Sequence, residues 1–459
     1  MNNSKMLGVE SCGKLLLKFS VPAVIGMTAN ALYDFIDRLF ISKAIGILGI
    51  SAATVVRPML ITVMAFSLLI GVGTSVTISL KLGQNDKSQA EKAIGNAMLL
   101  AVAVSLLLIL LGLLFKEQLL SLFGAKDEIL PLARQFFIIS LFGIPFQTLA
   151  HILIGACRAE GNPKLSMLTM LSSALLNFIL NPAFIFILKL GIAGSALATL
   201  CSQGIVSIWL LLYFAGKNSV LRLSFKAVFP DTAILIQILS IGMASFLAQL
   251  VSSATMVILN KSLYSYGGNY AVASLGIIQA LMMLVLLTVI GINQGMQPIL
   301  GYNYGAGNYQ RVKKTVGLAL LSGTYITTIG FIILMLFQTQ LFSLFAGKSQ
   351  ELVKAGAFGM RLFLLMLPLS SLQKIEYFEA IGSAKISIFL SLAKQLLFQI
   401  PLLFILPYFY KLKGVWLTGA VSDFFSCLLS AVFLIAALYK LKNKSRLPIK
   451  KTYVFENEA

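Results

Sequence analysis

Charge is scarce in this chain: 11% of its 459 residues are charged, 58% are hydrophobic, and the mean hydropathy is +0.91. A soluble core cannot hide that much apolar surface, which excludes a water-soluble globular protein and indicates a polytopic membrane protein. Histidine is reduced to His151, which alone cannot build a metal site; packing and proton relay are the roles open to it. The four cysteines, Cys12, Cys157, Cys201 and Cys427, have neither paired nor metal-ligand spacing, so disulfides and zinc are disfavoured and buried small hydrophobes remain. A phosphate loop of the G-x-x-x-x-G-K-[ST] type is missing, as is any Cys or His cluster, which argues against direct use of ATP, against an enzyme and against a cofactor. Amphipathic ten-residue strands are missing too, excluding a barrel. The first 19 residues lack a small-residue cleavage site behind a short apolar core, so the first span is expected to be retained.

What remains is apolar and helical. Charge-free runs cover 93–115, 135–157, 165–188, 190–216 and 315–347, each long enough to cross a bilayer as a helix. The pattern predicts an all-α protein of twelve transmembrane helices at about 19–42, 51–81, 93–115, 131–157, 164–188, 191–215, 234–262, 270–302, 315–338, 352–378, 385–409 and 414–440. The net charge of +20 is not spread evenly. Lys81, Lys87 and Lys92 follow the second span, Arg158 and Lys164 the fourth, Lys217, Arg222 and Lys226 the sixth, and Arg311, Lys313 and Lys314 the eighth. The tail adds Lys440, Lys442, Lys444, Arg446, Lys450 and Lys451, whereas the opposite loops hold fewer cations, among them Lys116, Lys126, Lys411 and Lys413. The positive-inside rule therefore predicts both termini in the cytoplasm, and an anionic lipid surface accounts for the basic tail without a nucleic-acid partner. The expected organisation is an N-terminal six-helix bundle (1–215), a cytoplasmic linker (216–231), a C-terminal six-helix bundle (232–440) and a basic tail (441–459).

The two halves repeat at an offset near 220 residues. Asn85 to Gly95 lines up with Gly307 to Gly317, Ala159 to Lys164 with Ala380 to Lys385, and Gly194 through Ser202-Gln203 with Gly414 through Ser422-Asp423. Six spans per half make this a parallel repeat about an axis along the membrane normal, with a cavity expected between the bundles.

Inside the first run, Asn30, Asp34 and Asp37 are spaced i, i+4, i+7, one polar stripe on a helix, and an acid at membrane depth marks a functional site by default. Asp37 lies roughly 28 Å along the axis from Lys18, near a full hydrocarbon thickness of about 30 Å. Two readings follow: Asp34 pairs with Arg38 and Asp37 reaches to the far interface, or Asp37 faces water and binds a cation or proton, with Asp34 counted as a further residue of that ion site. Asn177 and Asn181 share one face, where amide oxygens ligate an ion or bond between helices; Thr199 joins them or bonds its own backbone. Asp423 stands alone among apolar neighbours, either as a second acidic ion site or as the partner of Lys394; Glu376 and Lys374 end the tenth span in a solvated or mutual pair. Asn30, Tyr33, Met283, Gln294 and Gln297 are assigned to a substrate cavity, a thioether being suited to varied ligands; for Met283, Gln294 and Gln297 a lipid-facing or bundle-core position is the other reading.

Several stretches resemble those of the multidrug and toxic compound extrusion (MATE) transporters, closest to the bacterial drug-efflux branch. They are Ala31-Leu32-Tyr33-Asp34-Phe35-Ile36-Asp37-Arg38, Arg158-Ala159-Glu160-Gly161-Asn162-Pro163-Lys164, Asn177-Phe178-Ile179-Leu180-Asn181-Pro182, Gln294-Gly295-Met296-Gln297-Pro298 with Gly301-Tyr302-Asn303-Tyr304-Gly305, and Tyr377-Phe378-Glu379-Ala380-Ile381-Gly382. The resemblance implies a V-shaped pair of bundles in a bacterial inner membrane, acting as a monomer and exchanging Na+ or H+ for small organic cations. It carries the family's cation site onto Asp37, Asn177 and Thr199. Asn181 departs from it, because related sequences often hold aspartate there. An exporter of one lipid-linked or metabolite substrate is the alternative, although an anionic lipid cargo calls for cations in the cavity, where this chain has mostly Asp.

Overall fold

The computed structural model describes residues 3–223, 229–346, 349–373 and 376–444. Lys226, Lys374 and the tail cations Arg446, Lys450 and Lys451 lie outside these residues. The described chain is almost wholly helical. Six helices make the first half: α1 (Cys12–Ile45), α2 (Ile47–Gly83), α3 (Lys87–Leu114), α4 (Ile129–Ala159), α5 (Pro163–Ile187) and α6 (Gly191–Ala215). In the second half the segment Thr232–Gly305 runs for 74 residues, about 110 Å of helix against a hydrocarbon core of about 30 Å, so it must double back. It does so at Gly268, whose φ of 63° and ψ of −160° are open only to a residue without Cβ. This break divides α7 (232–267) from α8 (269–305). Then come α9 (Tyr309–Leu336), α10, which bends by 44° between Gln350–Phe363 and Leu367–Ala380, and the segment Ala384–Lys442, broken at Lys411 into α11 and α12. Twelve crossings result.

The ends differ from the sequence expectation. Helix α1 begins at Cys12, not near 19, and α2 at Ile47, not near 51, because one residue, Gly46 (φ 73°), makes the whole turn between them. Helix α10 is not one continuous span over 352–378.

The repeat is written into the backbone. Among the described residues, eight of the eleven positive-φ residues fall in pairs 221 or 222 residues apart: Gly46 and Gly268, Asn85 and Gly307, Gly161 and Gly382, Lys189 and Lys411; Gly124, Asp127 and Gly191 do not. Four turns therefore recur at corresponding places in the two halves, giving two six-helix lobes.

The lobes meet along glycines near the basic face, the face that carries Lys81, Arg158 and Arg311. A Cβ built on Gly83 would lie 2.0 Å from the Tyr302 carbonyl oxygen, and one on Gly305 2.2 Å from that of Leu80. These two glycines are 222 residues apart, so the α2–α8 contact is symmetric with itself. Gly73 and Gly242 bring α2 and α7 equally close, at 2.0 Å from Ile238 O and 1.8 Å from Leu69 O; Gly291 and Gly295 seat Val24 and Ser20 of α1 on α8.

Each lobe also holds the segment that leads into the other lobe's first helix. Leu7, Leu15 and Phe19 bury against Ile299 of α8, and Leu16 against Met296, Leu300 and Val312. Arg311 donates from Nη2 to the Leu7 carbonyl (3.2 Å) and to that of Glu10, and from Nε to Asn303 Oδ1 (3.0 Å). Reciprocally, Ile234 and Ile238 of α7 lie in the core formed by α2, α3, α4 and α6. Asn96 of α3 accepts from the Asp231 N–H (2.8 Å) and donates to the Phe229 carbonyl (3.2 Å), while Lys92 pairs with Asp231 at 3.4 Å. Toward the other face the lobes keep separate cores.

Candidate functional site

Helices α1, α5 and α6 converge inside the first lobe. Asn177 and Asn181 lie one turn apart on α5, just before the widened π-helical stretch Ala183–Ile187, and Ser195 and Thr199 lie one turn apart on α6. The two polar pairs thus face one another at matching rise, and α1 lays Tyr33 and Asp37 across them. Asp37 Oδ1 accepts from Asn181 Nδ2 at 2.8 Å and from Ser195 Oγ at 2.5 Å. Asn181 Nδ2 also donates to Asn177 Oδ1 (3.0 Å), Asn177 Nδ2 donates to Thr199 Oγ1 (3.3 Å), and Thr199 Oγ1 lies 2.8 Å from the Tyr33 hydroxyl. A cavity of about 230 Å³ beside the network is walled by Ala29, Tyr33, Ile36, Ala174 and Asn177.

Asp37 is therefore turned into the lobe, not out to the headgroups. Thr199 bonds to side chains of two other helices. Tyr33, assigned from sequence to the substrate cavity, both joins this network through Thr199 and walls the cavity beside it. Ser195 was not found by sequence reading; the signal was its i, i+4 spacing to Thr199, which copies that of Asn177 and Asn181.

The chemistry is that of an oxygen nest. The carboxylate is met by neutral donors, and Asn181 Oδ1 is buried with no hydrogen-bond partner. An orphaned buried acceptor costs about 1–3 kcal/mol, a deficit that a desolvated cation or a proton on the neighbouring carboxylate would offset. Carboxylate, amide and hydroxyl oxygens are the ligands a hard cation takes.

Asp34 and Asn30 are exposed and face elsewhere. On α1 the residues packed on α8 are Ser20 against Gly295, Val24 against Gly291, and Met27, whose sulfur accepts from Gln294 Nε2 at 3.5 Å. Asp34, one heptad past Met27, continues that face. On α8, Met283 stands three turns from Gln294 on the same face and is 44% exposed. Had the antiparallel helices stayed packed, Asp34 and Met283 would be covered. Both are exposed, so the packing of α1 on α8 at Ser20, Val24 and Met27 does not reach them, and Asn30 is exposed as well. Gln294 is half-buried at the Met27 contact. Gln297 is buried in the seam, accepting from Ser75 Oγ of α2 at 3.4 Å.

Elsewhere, Asp423 Oδ1 lies 2.6 Å from Lys394 Nζ, the pairing that the sequence offered as one of its two roles. His151 Nδ1 bonds the Gln147 carbonyl (3.0 Å) within α4. Glu379 accepts from Ser245 at 2.6 Å. In the linker, backbone N–H groups, that of Ile234 foremost, and Lys92 hold the Asp231 carboxyl below the usual carboxylate range.

A family model described as MatE matches the chain twice, over residues 22–183 and 241–405. The chain is 29% identical over 451 residues to the multidrug export protein MepA of Staphylococcus haemolyticus strain JCSC1435, covering 98% of each, and 28% identical over 427 residues to that of Staphylococcus aureus strain MSSA476, covering 93% of this chain and 94% of the relative. Its fold superposes with a TM-score of 0.90, at 24% identity and over 96% of this chain and 99% of the other, on a multidrug resistance MATE family transporter of the MOP superfamily solved in an outward-facing conformation.

Proposed function

We propose, since this chain belongs to the MatE family of membrane transporters, that it is a multidrug efflux protein which exports small organic cations in exchange for Na+ or H+. It is a multi-pass membrane protein and not an enzyme. The staphylococcal relatives are named multidrug export proteins, which supports a varied organic cargo. The observation that carries the ion coupling is the Asp37 nest: a carboxylate deep in one lobe, hydrogen-bonded to Asn181 and Ser195. An acid so placed holds a proton or a sodium ion, and its charge changes when it does.

With the basic face assigned to the cytoplasm by the positive-inside rule, the glycine seam is read as an inner gate, and the cargo is proposed to occupy a cleft between the lobes on the outer side, flanked by Asn30, Asp34 and Met283. Asp34 at the cleft gives an organic cation an electrostatic partner, and Met283 gives it a polarisable, adaptable wall. When an ion arrives from outside and neutralises Asp37, the network linking α1 to α5 and α6 is reset and the cleft's affinity for the cargo falls. The ion then acts through its different affinity for two arrangements of the same helices, which is what coupling requires. The basic face also lies where anionic inner-leaflet lipids gather.

The test is uptake of a fluorescent organic cation into proteoliposomes under imposed sodium or pH gradients. One gradient is expected to drive uptake and Asp37→Asn to reduce it to the gradient-free rate. Gradient-driven uptake that survives Asp37→Asn refutes the proposal.

A further inference from the structure

The second lobe carries two polar pairs, made by the adjacent residues Lys394 and Gln395, on the helices that correspond by order to α1, α5 and α6. On α11, Lys394 Nζ lies 2.6 Å from Asp423 Oδ1 of α12. The next residue, Gln395, donates from Nε2 to Ser252 Oγ of α7 at 2.5 Å, and its Oε1 is buried without a hydrogen-bond partner. The repeat registers the two clusters against each other. Asp423 is the counterpart of Gln203, one turn past Thr199, and Gln395 is the counterpart of Ala174, one turn before Asn177. Both shifts run toward the basic face, so the second cluster is the first one displaced by a turn. Lys394 and Gln395 sit in the π-helical stretch Ala393–Gln399, a widened turn of the kind found at functional sites. One difference stands out: the first lobe's carboxylate meets neutral donors, whereas the second lobe's meets an ammonium. Lys394 and Asp423 retain only 26% and 20% side-chain exposure.

We propose that Lys394 is a tethered cation filling a second ion site made by Asp423, Gln395 and Ser252, so that the second lobe takes no ion from solution and the ion stoichiometry of exchange is set by the Asp37 site alone. This rests on the reading of Asp37 as the coupling carboxylate. A carboxylate, an amide oxygen and a hydroxyl are hard donors suited to a monovalent alkali cation, and an ammonium on a four-carbon stem supplies the same charge without diffusing away. Removing the lysine strands the acid in a part-buried setting, where a lost partner is strongly felt. A sodium ion from solution then replaces it.

The test uses the purified full-length protein, melted in sodium chloride and in choline chloride of equal ionic strength, with Asp37→Asn present throughout to remove the first site's contribution. Adding Lys394→Met is expected to lower the melting temperature in choline and to restore it in sodium by at least about 2 °C. Radioactive sodium binding is expected to rise by one ion per chain. Adding Asp423→Asn as well is expected to abolish both responses. A Lys394→Met protein equally destabilised in both salts, or a sodium response that survives Asp423→Asn, overturns the proposal. A failure of the Asp37 reading registers earlier, in the comparison of wild type with Asp37→Asn, so the two are told apart.

Discussion

Asp37 owes its orientation to residues on other helices. The Ser195 hydroxyl and the Asn181 amide both donate to the same carboxylate oxygen, and hydrogen bonds to a charged group are worth about 1.5–3 kcal/mol each. Ser195→Ala is therefore expected to raise the ion concentration for half-maximal transport about tenfold while leaving the maximal rate nearly unchanged, as read from uptake against ion concentration. Asn177→Ala is expected to do more, because it removes both the acceptor that orients Asn181 and the donor to Thr199; the same assay, with melting to confirm folding, checks it. Much of this nest was legible in sequence. A lone acid in an apolar run and an Asn pair at i, i+4 are local signals. Ser195 and Tyr33 were not assigned to it, since a serine on a small-residue helix and a tyrosine in an aromatic stretch look ordinary until α1 is laid across α6. Gln297 was misplaced for the same reason: its side follows from the angle between α2 and α8, not from its neighbours in the chain.

The elements with most at stake are the entries to α1 and α7. Each packs in the opposite lobe, so the lobes are joined by crossed segments as well as by the glycine seam. Arg311→Ala removes the donors to the carbonyls of Leu7 and Glu10 and is expected to loosen the α1 entry. Cys12, buried with its sulfur toward the Arg311 carbonyl, is the native reporter: its labelling by a maleimide is expected to rise in Arg311→Ala over wild type. The other clasp has a pH signature. Because the Asp231 carboxyl is held below its ordinary range, this clasp is at full strength above about pH 4 and is lost only as pH falls through the lower folded value. Hydrogen exchange of the 229–234 amides is expected to show protection at pH 5 that weakens only once the pH is lowered below the ordinary carboxylate range. Helix number and order were legible from hydropathy and the basic loops. The Gly46 turn, the bend in α10 and the clasps were not, since single-residue turns and contacts between lobes leave no period in the sequence.

At the scale of the molecule, two lobes share one seam and keep separate cores beyond it. Gly242→Val would drive side-chain atoms into the α2 backbone, where even a Cβ sits 1.8 Å from the Leu69 carbonyl oxygen, and is expected to abolish transport while each lobe remains helical by circular dichroism. In the proposed mechanism, ion occupancy at Asp37 sets how far the lobes open. The direct measurement is pulsed electron–electron resonance between spin labels at Ile47 and Tyr264, both exposed near the symmetric turns at Gly46 and Gly268, in reconstituted protein with and without the coupling ion. The ion is expected to shift the distance distribution in the wild-type background, and Asp37→Asn is expected to give one distribution whether the ion is present or not. An ion-dependent shift of wild-type size in Asp37→Asn would contradict it.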